Sequence, residues 1–145
     1  MPSSNPKPTD PSQGLVLVVD DENQSIEAIR RDLARTDLIN PVFSVSSGKE
    51  AIEYLEGTGR FKDRFAFPLP SLLLVDWRMP VISGQDIVRF VRSQLKFVSL
   101  PIVVLTASTD LDDMRDAYNA GATSFLVKPL STYNIARLLG GLLAR

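Results

Sequence analysis

Five short apolar runs, separated by amphipathic stretches, constrain the fold of this 145-residue chain more than any other feature. The runs are four or five residues long: LVLVV (15–19), PVFSV (41–45), SLLLV (71–75), PIVVL (101–105) and SFLV (124–127). Strands that are apolar on both faces are typical of parallel sheets covered by helices on both sides. The alternation therefore predicts an α/β fold built on a five-stranded parallel sheet.

The stretches between these runs carry apolar residues at helical spacing. Ser47 and Glu50 are spaced for a capping box at the start of the second helix. Gly121 stands where a helix C-terminal cap belongs. Five helices are predicted. The first covers 23–36, the second starts after Ser47, the third starts after Ser83, the fourth runs from Thr109 or Asp110 to Gly121, and the fifth begins near Ser131.

Composition excludes several classes of function. The chain has no cysteine and no histidine, which excludes disulfides, thiol chemistry and any histidine base, metal ligand or phosphohistidine. A formal net charge of -1 gives no strong field for nucleic acid or an anionic membrane, so neither is an expected partner. No apolar run approaches the ~20 residues of a membrane span, and no signal region opens the chain. A cytoplasmic location is expected.

The chain length suits one domain with a substantial core. Residues 1–13 form a Pro/Ser-rich leader with four prolines in the first eleven residues, a composition typical of disorder. We therefore expect a disordered leader over 1–13 and one folded domain over 14–145.

Polar side chains follow four of the five predicted strands. Asp20 and Asp21 follow the first strand, Asp76 the third, Thr106 the fourth and Lys128 the fifth. The carboxyl ends of parallel strands share one edge of a sheet, and ligands bind outside that edge. Taken singly, the acidic pair could cap a helix, Thr106 could serve a turn, and Lys128 could be a solvated surface residue. Taken together, they predict one site.

The chemistry of this set indicates phosphoryl transfer. Three clustered carboxylates repel one another and stay ionised only beside a cation, and Mg²⁺ prefers oxygen ligands. An ion held there can bring a phosphoryl group to Asp76, whose carboxylate can act as the nucleophile. The Lys128 ammonium and the Thr106 hydroxyl can then stabilise the transferred oxygens.

These segments resemble the receiver domain of two-component response regulators, from about Gly14 to the C-terminus. The resemblance rests on VVDDE, LLLVDWRMPVISG, VVLTA and AGATSFLVKP. It implies a flavodoxin-like, doubly wound (βα)5 fold with strand order 2-1-3-4-5, and a protein similar to single-domain chemotaxis regulators. No output module follows the last predicted helix, so we expect either a single-domain regulator or a segment of a longer chain.

The resemblance also implies roles for individual residues. Asp76 is the expected phosphorylation site, assisted by Thr106 and Lys128. The implied Mg²⁺ ligands are Asp21 and Asp76 directly, Asp20 through water, and the backbone carbonyl of Arg78. The peptide bond between Lys128 and Pro129 is expected to be cis.

The resemblance implies partners and a route for the signal. The expected phosphodonor is a histidine kinase or a histidine phosphotransfer protein. Thr106 and Phe125 form the implied switch, and the face of the fourth helix, fifth strand and fifth helix (roughly 110–143) is expected to contact a downstream protein or a second copy. The chain is expected to be a phosphoacceptor that promotes its own phosphorylation and dephosphorylation, and not an enzyme acting on other substrates.

Other functions fit the sequence less well. A dinucleotide or flavin phosphate would require a glycine- or hydroxyl-rich loop where DDENQS stands. A phosphatase of the haloacid dehalogenase type would have a second aspartate where Arg78 stands. The remaining alternative is a receiver that no longer accepts phosphate and serves only as a docking module, and the complete set of site residues argues against it.

Three features depart from the family pattern. Phe125 stands where the family often has tyrosine, and it is expected to lie at least partly inward before phosphorylation. Arg78 places a long cation at the mouth of the site, where it either covers a phosphoryl group or extends into solvent. The connection 57–70 is long, basic and aromatic. It is either a flap whose rings pack on the sheet edge or a docking loop.

Overall fold

The structure, a computed structural model, describes residues 14–143, except for the side chain of Thr132. The predicted leader over 1–13 lies outside the described residues. Strands and helices alternate in the order β1 (Val16–Val19), α1 (Asn23–Ala34), β2 (Val42–Val45), α2 (Gly48–Glu56), β3 (Leu72–Asp76), α3 (Gly84–Ser93), β4 (Ile102–Thr106), α4 (Leu111–Ala120), β5 (Ser124–Val127) and α5 (Thr132–Leu143). Short 3-10 helices cover Gly59–Phe61 and Leu95–Phe97.

All five strands are parallel and lie in the order β2-β1-β3-β4-β5. This confirms the predicted α/β class and strand order. From β1 the chain runs outward to β2 and then crosses back to β3 on the other side of β1. The direction of the connections therefore reverses between β1 and β3. A crevice forms at such a point, outside the carboxyl ends of the strands.

Two apolar layers cover the sheet, which explains why the strands have no polar face. Leu17, Val19, Leu73 and Val75 point toward the layer of α2, α3 and α4. Their neighbours Val16, Val18, Leu72 and Leu74 point toward the layer of α1 and α5. Each fully buried side chain of this size stabilises the fold by roughly 1.5–3 kcal/mol. Within residues 14–143, no helix is long and apolar enough to cross a membrane.

Side-chain caps fix where the helices begin. Ser83 and Asp86 form a reciprocal capping box at the start of α3. At α2, the Ser47 hydroxyl accepts from the Glu50 N–H as predicted, but the Glu50 carboxylate accepts from the Ser46 hydroxyl and from Arg60. Asp110, one of the two predicted starting residues, caps α4.

The connection between α2 and β3, residues 57–70, is a flap anchored by aromatic rings. Phe61 is fully buried and Phe67 is half-buried, and both pack against Phe43 of β2 and Tyr54 of α2. Of the two alternatives for this connection, packing on the sheet edge therefore holds for these two rings. It is wrong for Phe65, which is 69% exposed. A turn closed by the Asp63 carboxylate on the backbone N–H of Phe65 directs that residue outward.

Arg64 fastens the flap to α2. Its guanidinium donates to the backbone carbonyls of Tyr54, Leu55 and Phe67 at 2.7, 2.9 and 3.2 Å. The first two carbonyls lie in the last turn of α2, where helical partners become incomplete, although Tyr54 also accepts from the Gly57 N–H at 3.2 Å. The Tyr54 hydroxyl donates to the carbonyl of Pro68 at 2.7 Å, and burial raises the pKa of Tyr54 to about 12. The flap is therefore tied down by polar contacts as well as by rings.

Candidate functional site

The polar residues predicted to converge do lie at the carboxyl edge of the sheet. Asp76 and Thr106 are the last residues of β3 and β4, and Asp20 and Lys128 directly follow β1 and β5. Asp20, Asp76 and Lys128 are in direct contact. Thr106 occupies the neighbouring position on β4, because Asp76 pairs in register with Leu105.

Lys128 is the positive centre of the site. Its ammonium lies 2.7 Å from an Asp20 oxygen, 3.4 Å from an Asp76 oxygen and 3.3 Å from the Ser25 hydroxyl. Burial alone would lower the pKa of Lys128, but the hydrogen bond to Asp20 and the charge of Asp76 raise it above its usual value. Lys128 therefore remains protonated. The bond between Lys128 and Pro129 is cis, as the resemblance implied.

Asp20 is completely buried and held at both oxygens. One oxygen accepts from Lys128, and the other accepts from the backbone N–H of Glu22 at 2.9 Å. Charge-assisted hydrogen bonds of this kind compensate the cost of burying a carboxylate. Asp20 is therefore fixed in place, and it holds Lys128 beside Asp76.

Asp76 is buried, with only 5% of its surface exposed. Its pKa is raised to about 6. Burial is the largest cause of this rise, the nearby Lys128 charge partly offsets it, and the charges of Asp20 and Asp21 add to it. Lys128 therefore compensates the charge of the Asp76 carboxylate only in part. Such a site favours the binding of a cation, alone or together with a ligand that the cation coordinates.

The donor set at this edge fits a hard divalent cation. Oxygens of Asp20, Asp21, Glu22 and Asp76 can all lie within 4.8 Å of one another. Asp20 and Asp76 are buried, whereas Asp21 and Glu22 are exposed to solvent. Such all-oxygen sets suit Mg²⁺, which keeps part of its water shell. Asp20, Asp21 and Asp76 were predicted members; Glu22, third in the DDE sequence, was missed, and the backbone carbonyl of Arg78 stays a prediction.

The loop after Asp76 is held by close packing on α3. A side chain at Gly84 would collide with the backbone of Asp76 and Trp77, so only glycine allows this approach. The Gly84 N–H donates to the Trp77 carbonyl at 3.1 Å. The glycine that follows the Met-Pro in the sequence therefore positions the end of β3.

The two residues of the predicted switch lie on adjacent strands, where Phe125 of β5 pairs with Val104, two residues before Thr106 on β4. Thr106 is 2% exposed, and its hydroxyl oxygen accepts from the Ser108 N–H at 3.1 Å. Phe125 is half-buried and packs against the apolar layer of α2, α3 and α4. The response of Phe125 to phosphorylation stays a prediction.

Arg78 is largely exposed, as one of the two expected alternatives had it, but it also pairs with a residue that the sequence did not single out. Its guanidinium donates to the Asp113 carboxylate of α4 at 2.7 Å. The hydrogen bond from Arg78 lowers the pKa of Asp113. An aspartate in the first turn of a helix is ordinarily explained by the helix dipole, so the sequence offered no signal of this pairing.

Comparison with known proteins places this arrangement among described families. The family model for the response regulator receiver domain matches residues 16–139. The probable methanogenesis regulatory protein FilR2 of Methanothrix harundinacea is 33% identical over 126 residues, covering 85% of this chain and 77% of FilR2. Chemotaxis protein CheY1 of Helicobacter pylori, strain 26695, is 31% identical over 116 residues, covering 80% of this chain and 86% of CheY1.

Solved structures give the same result for the fold. The bacteriophytochrome response regulator RtBRR superposes with a TM-score of 0.80 at 29% identity, covering 90% of this chain and 78% of that one.

Proposed function

Because the chain belongs to the response regulator receiver domain family of two-component systems, we propose that it accepts a phosphoryl group on Asp76. The donor would be a phosphohistidine of a histidine kinase or of a histidine phosphotransfer protein. In the transfer, an Asp76 oxygen attacks phosphorus, the phosphorus–nitrogen bond of the donor breaks, and the imidazole leaves. The product is an acyl phosphate at the end of β3.

Each residue of the site has a task in this step. Asp20, Asp21 and Asp76, with Glu22 nearby, would hold Mg²⁺, which when bound neutralises charge on the phosphoryl oxygens. Lys128 supplies a second positive charge next to the attacking oxygen. Thr106, on the adjacent strand, would donate its hydroxyl to the transferred group.

One observation favours this proposal over the alternative of a module that only docks. The Lys128 ammonium lies 2.7 Å from Asp20 and 3.4 Å from Asp76, and its side chain is only 16% exposed, so it is largely withdrawn from solvent. Burying this many charges is costly and contributes little to stability beyond what apolar residues would provide. A module that only docked would have no need of a buried, only partly compensated carboxylate at Asp76.

The signal would leave through α4, β5 and α5. Capture of the Thr106 hydroxyl by the phosphoryl group would open space for Phe125, which already packs partly against the core. The altered face, roughly 110–143, would then bind a downstream protein or a second copy. The chain would work in the cytoplasm as a phosphoacceptor and not on a separate substrate.

Trp77 allows a direct test of Mg²⁺-dependent phosphorylation. It is the only tryptophan in the chain, it directly follows Asp76, and it is 7% exposed. Acetyl phosphate added with Mg²⁺ should change Trp77 fluorescence, and a chelator should prevent the change. An unresponsive fluorescence signal, with no phosphate consumed, would favour the docking-only alternative.

A further inference from the structure

The ion pair between Arg78 and Asp113 connects the acceptor loop to the first turn of α4. Arg78 lies two residues after Asp76, and its guanidinium is 2.7 Å from the Asp113 carboxylate. The side chain of Asp113 is 11% exposed, whereas that of Arg78 is 70% exposed. Ion pairs with so exposed a partner are weak. The guanidinium can therefore leave Asp113 for a stronger anion within its reach.

Asp113 is also connected to Thr106. The neighbouring Ser108 side chain helps to lower the pKa of Asp113, and the Ser108 N–H donates to the Thr106 hydroxyl oxygen at 3.1 Å. Asp113 thus interacts with Arg78, two positions after the acceptor, and with Ser108, two positions after Thr106. A structural change at the end of β3 or of β4 therefore alters the surroundings of the Asp113 carboxylate.

We propose that Asp113 is a positioning residue for the phosphoryl chemistry of Asp76, acting through Arg78. This inference rests on the phosphoacceptor function proposed above. While Asp113 holds the guanidinium, the acceptor stays open to the donor and to water. A phosphoryl group on Asp76 competes for that guanidinium, because arginine binds phosphate oxygens through paired hydrogen bonds.

The position of Arg78 then sets the lifetime of the phosphorylated state. In hydrolysis a water oxygen bonds to phosphorus and the bond from phosphorus to the Asp76 oxygen breaks. The products are the Asp76 carboxylate, inorganic phosphate and a proton. A guanidinium that covers the phosphoryl oxygens impedes the approach of water. Its departure from Asp113 also breaks the ion pair that connects the first turn of α4 to the acceptor loop.

Hydrolysis rates of four proteins test this coupling: the wild type, Asp113→Asn, Arg78→Ala and the double variant. Each is labelled with acetyl phosphate and Mg²⁺, the donor is removed, and released inorganic phosphate is followed. Asp113→Asn should slow hydrolysis by about threefold to fivefold, the range of a weak ion pair. In the Arg78→Ala background the same substitution should have no effect. Asp113→Glu, which keeps the charge, should return the rate toward that of the wild type.

The outcomes separate this inference from the proposed function. A wild-type protein that takes no label overturns both. Labelled variants with equal lifetimes, or an Asp113→Asn effect that persists without Arg78, overturn the inference alone.

A second measurement needs neither phosphate nor metal. In the metal-free, unphosphorylated protein, Arg78→Ala should increase amide hydrogen exchange in the first turn of α4, residues 111–114. Arg89→Ala, which removes an exposed arginine of α3, is the matched control and should leave that exchange unchanged. Equal exchange in wild type and Arg78→Ala would contradict the inference.

Discussion

The ammonium of Lys128 donates to the Asp20 carboxylate at 2.7 Å, which joins two residues 108 positions apart in the chain. β1 and β5 are not neighbours in the sheet, so the lysine reaches past the ends of β3 and β4 to make this contact. On the way it lies beside Asp76. The pair therefore fixes a positive charge next to the acceptor before any donor arrives.

Replacing Lys128 should destabilise the protein as well as impair phosphorylation. In Lys128→Met, two buried carboxylates lose their partner, and breaking a buried ion pair in this way costs about 3 kcal/mol. Chemical denaturation without Mg²⁺ would measure the loss. Lys62→Met, which removes an exposed lysine of the flap, is the control and should change stability by less than about 0.5 kcal/mol. Equal stability of the two variants would contradict the assigned role of Lys128.

The metal-free protein should lose stability as the pH rises from about 4 to above 6. The pKa of Asp76 is raised from its usual value of 3.8 to about 6, so the folded state binds the proton more tightly than the unfolded chain. Proton binding by Asp76 therefore adds about 3 kcal/mol to the free energy of unfolding at low pH. This contribution is lost as the pH rises and Asp76 ionises in the folded state.

Asp76→Asn isolates this contribution, because every other titrating group is retained. The variant should be less sensitive to pH than the wild type in denaturation series run in a chelator. Added Mg²⁺ should stabilise the wild type at neutral pH, where Asp76 is ionised. Parallel pH profiles for wild type and variant would show that the burial of Asp76 has no such cost.

Val81 should be replaceable with a gain in stability. It is a fully exposed, β-branched residue with a φ of 67°, in the left-handed region that such residues rarely adopt. Val81→Gly removes the strain, partly offset by greater freedom of the unfolded chain, so a gain of about 0.5–1 kcal/mol is expected. Val98→Gly, at another exposed valine with a φ of -61°, should instead lower stability. Thermal unfolding of both would decide the point.

The flap should depend on Arg64 and be indifferent to Phe65. Arg64→Ala removes three hydrogen bonds from a charged donor to backbone carbonyls and should cost about 2 kcal/mol. Phe65→Ala removes an exposed ring and should change stability by no more than about 0.5 kcal/mol. Urea unfolding of the two variants provides the comparison. A large loss from Phe65→Ala would mean that this ring packs against the domain.

The sequence was sufficient to predict the sheet and most of the site. β1, β3 and β4 are almost entirely apolar and buried on both faces, so each strand and the residue at its end could be located without other information. The convergence of Asp20, Asp76 and Lys128 followed from parallel topology alone. The strand order needed the family resemblance, because apolar patterns do not say which strands are neighbours.

Features that depend on side-chain partners or on local backbone conformation were not predictable. The Arg78–Asp113 pair joins residues 35 positions apart, and any of several acidic residues could have met Arg78. Phe61, Phe65 and Phe67 look equivalent in the sequence, but a turn at Asp63 directs only Phe65 to solvent. The left-handed conformation of Val81 contradicts the local preference of valine and has no sequence signal.

The central claim is that Asp76 carries the phosphoryl group, and intact-mass measurement tests it most directly. Wild type and Asp76→Asn are incubated side by side with acetyl phosphate and Mg²⁺, and the labelled protein is then digested to locate the modification. The account predicts one added phosphoryl group on the wild type, located at Asp76, and none on Asp76→Asn or in the presence of a chelator. Stoichiometric labelling of Asp76→Asn, or a wild type that never gains mass, would contradict it.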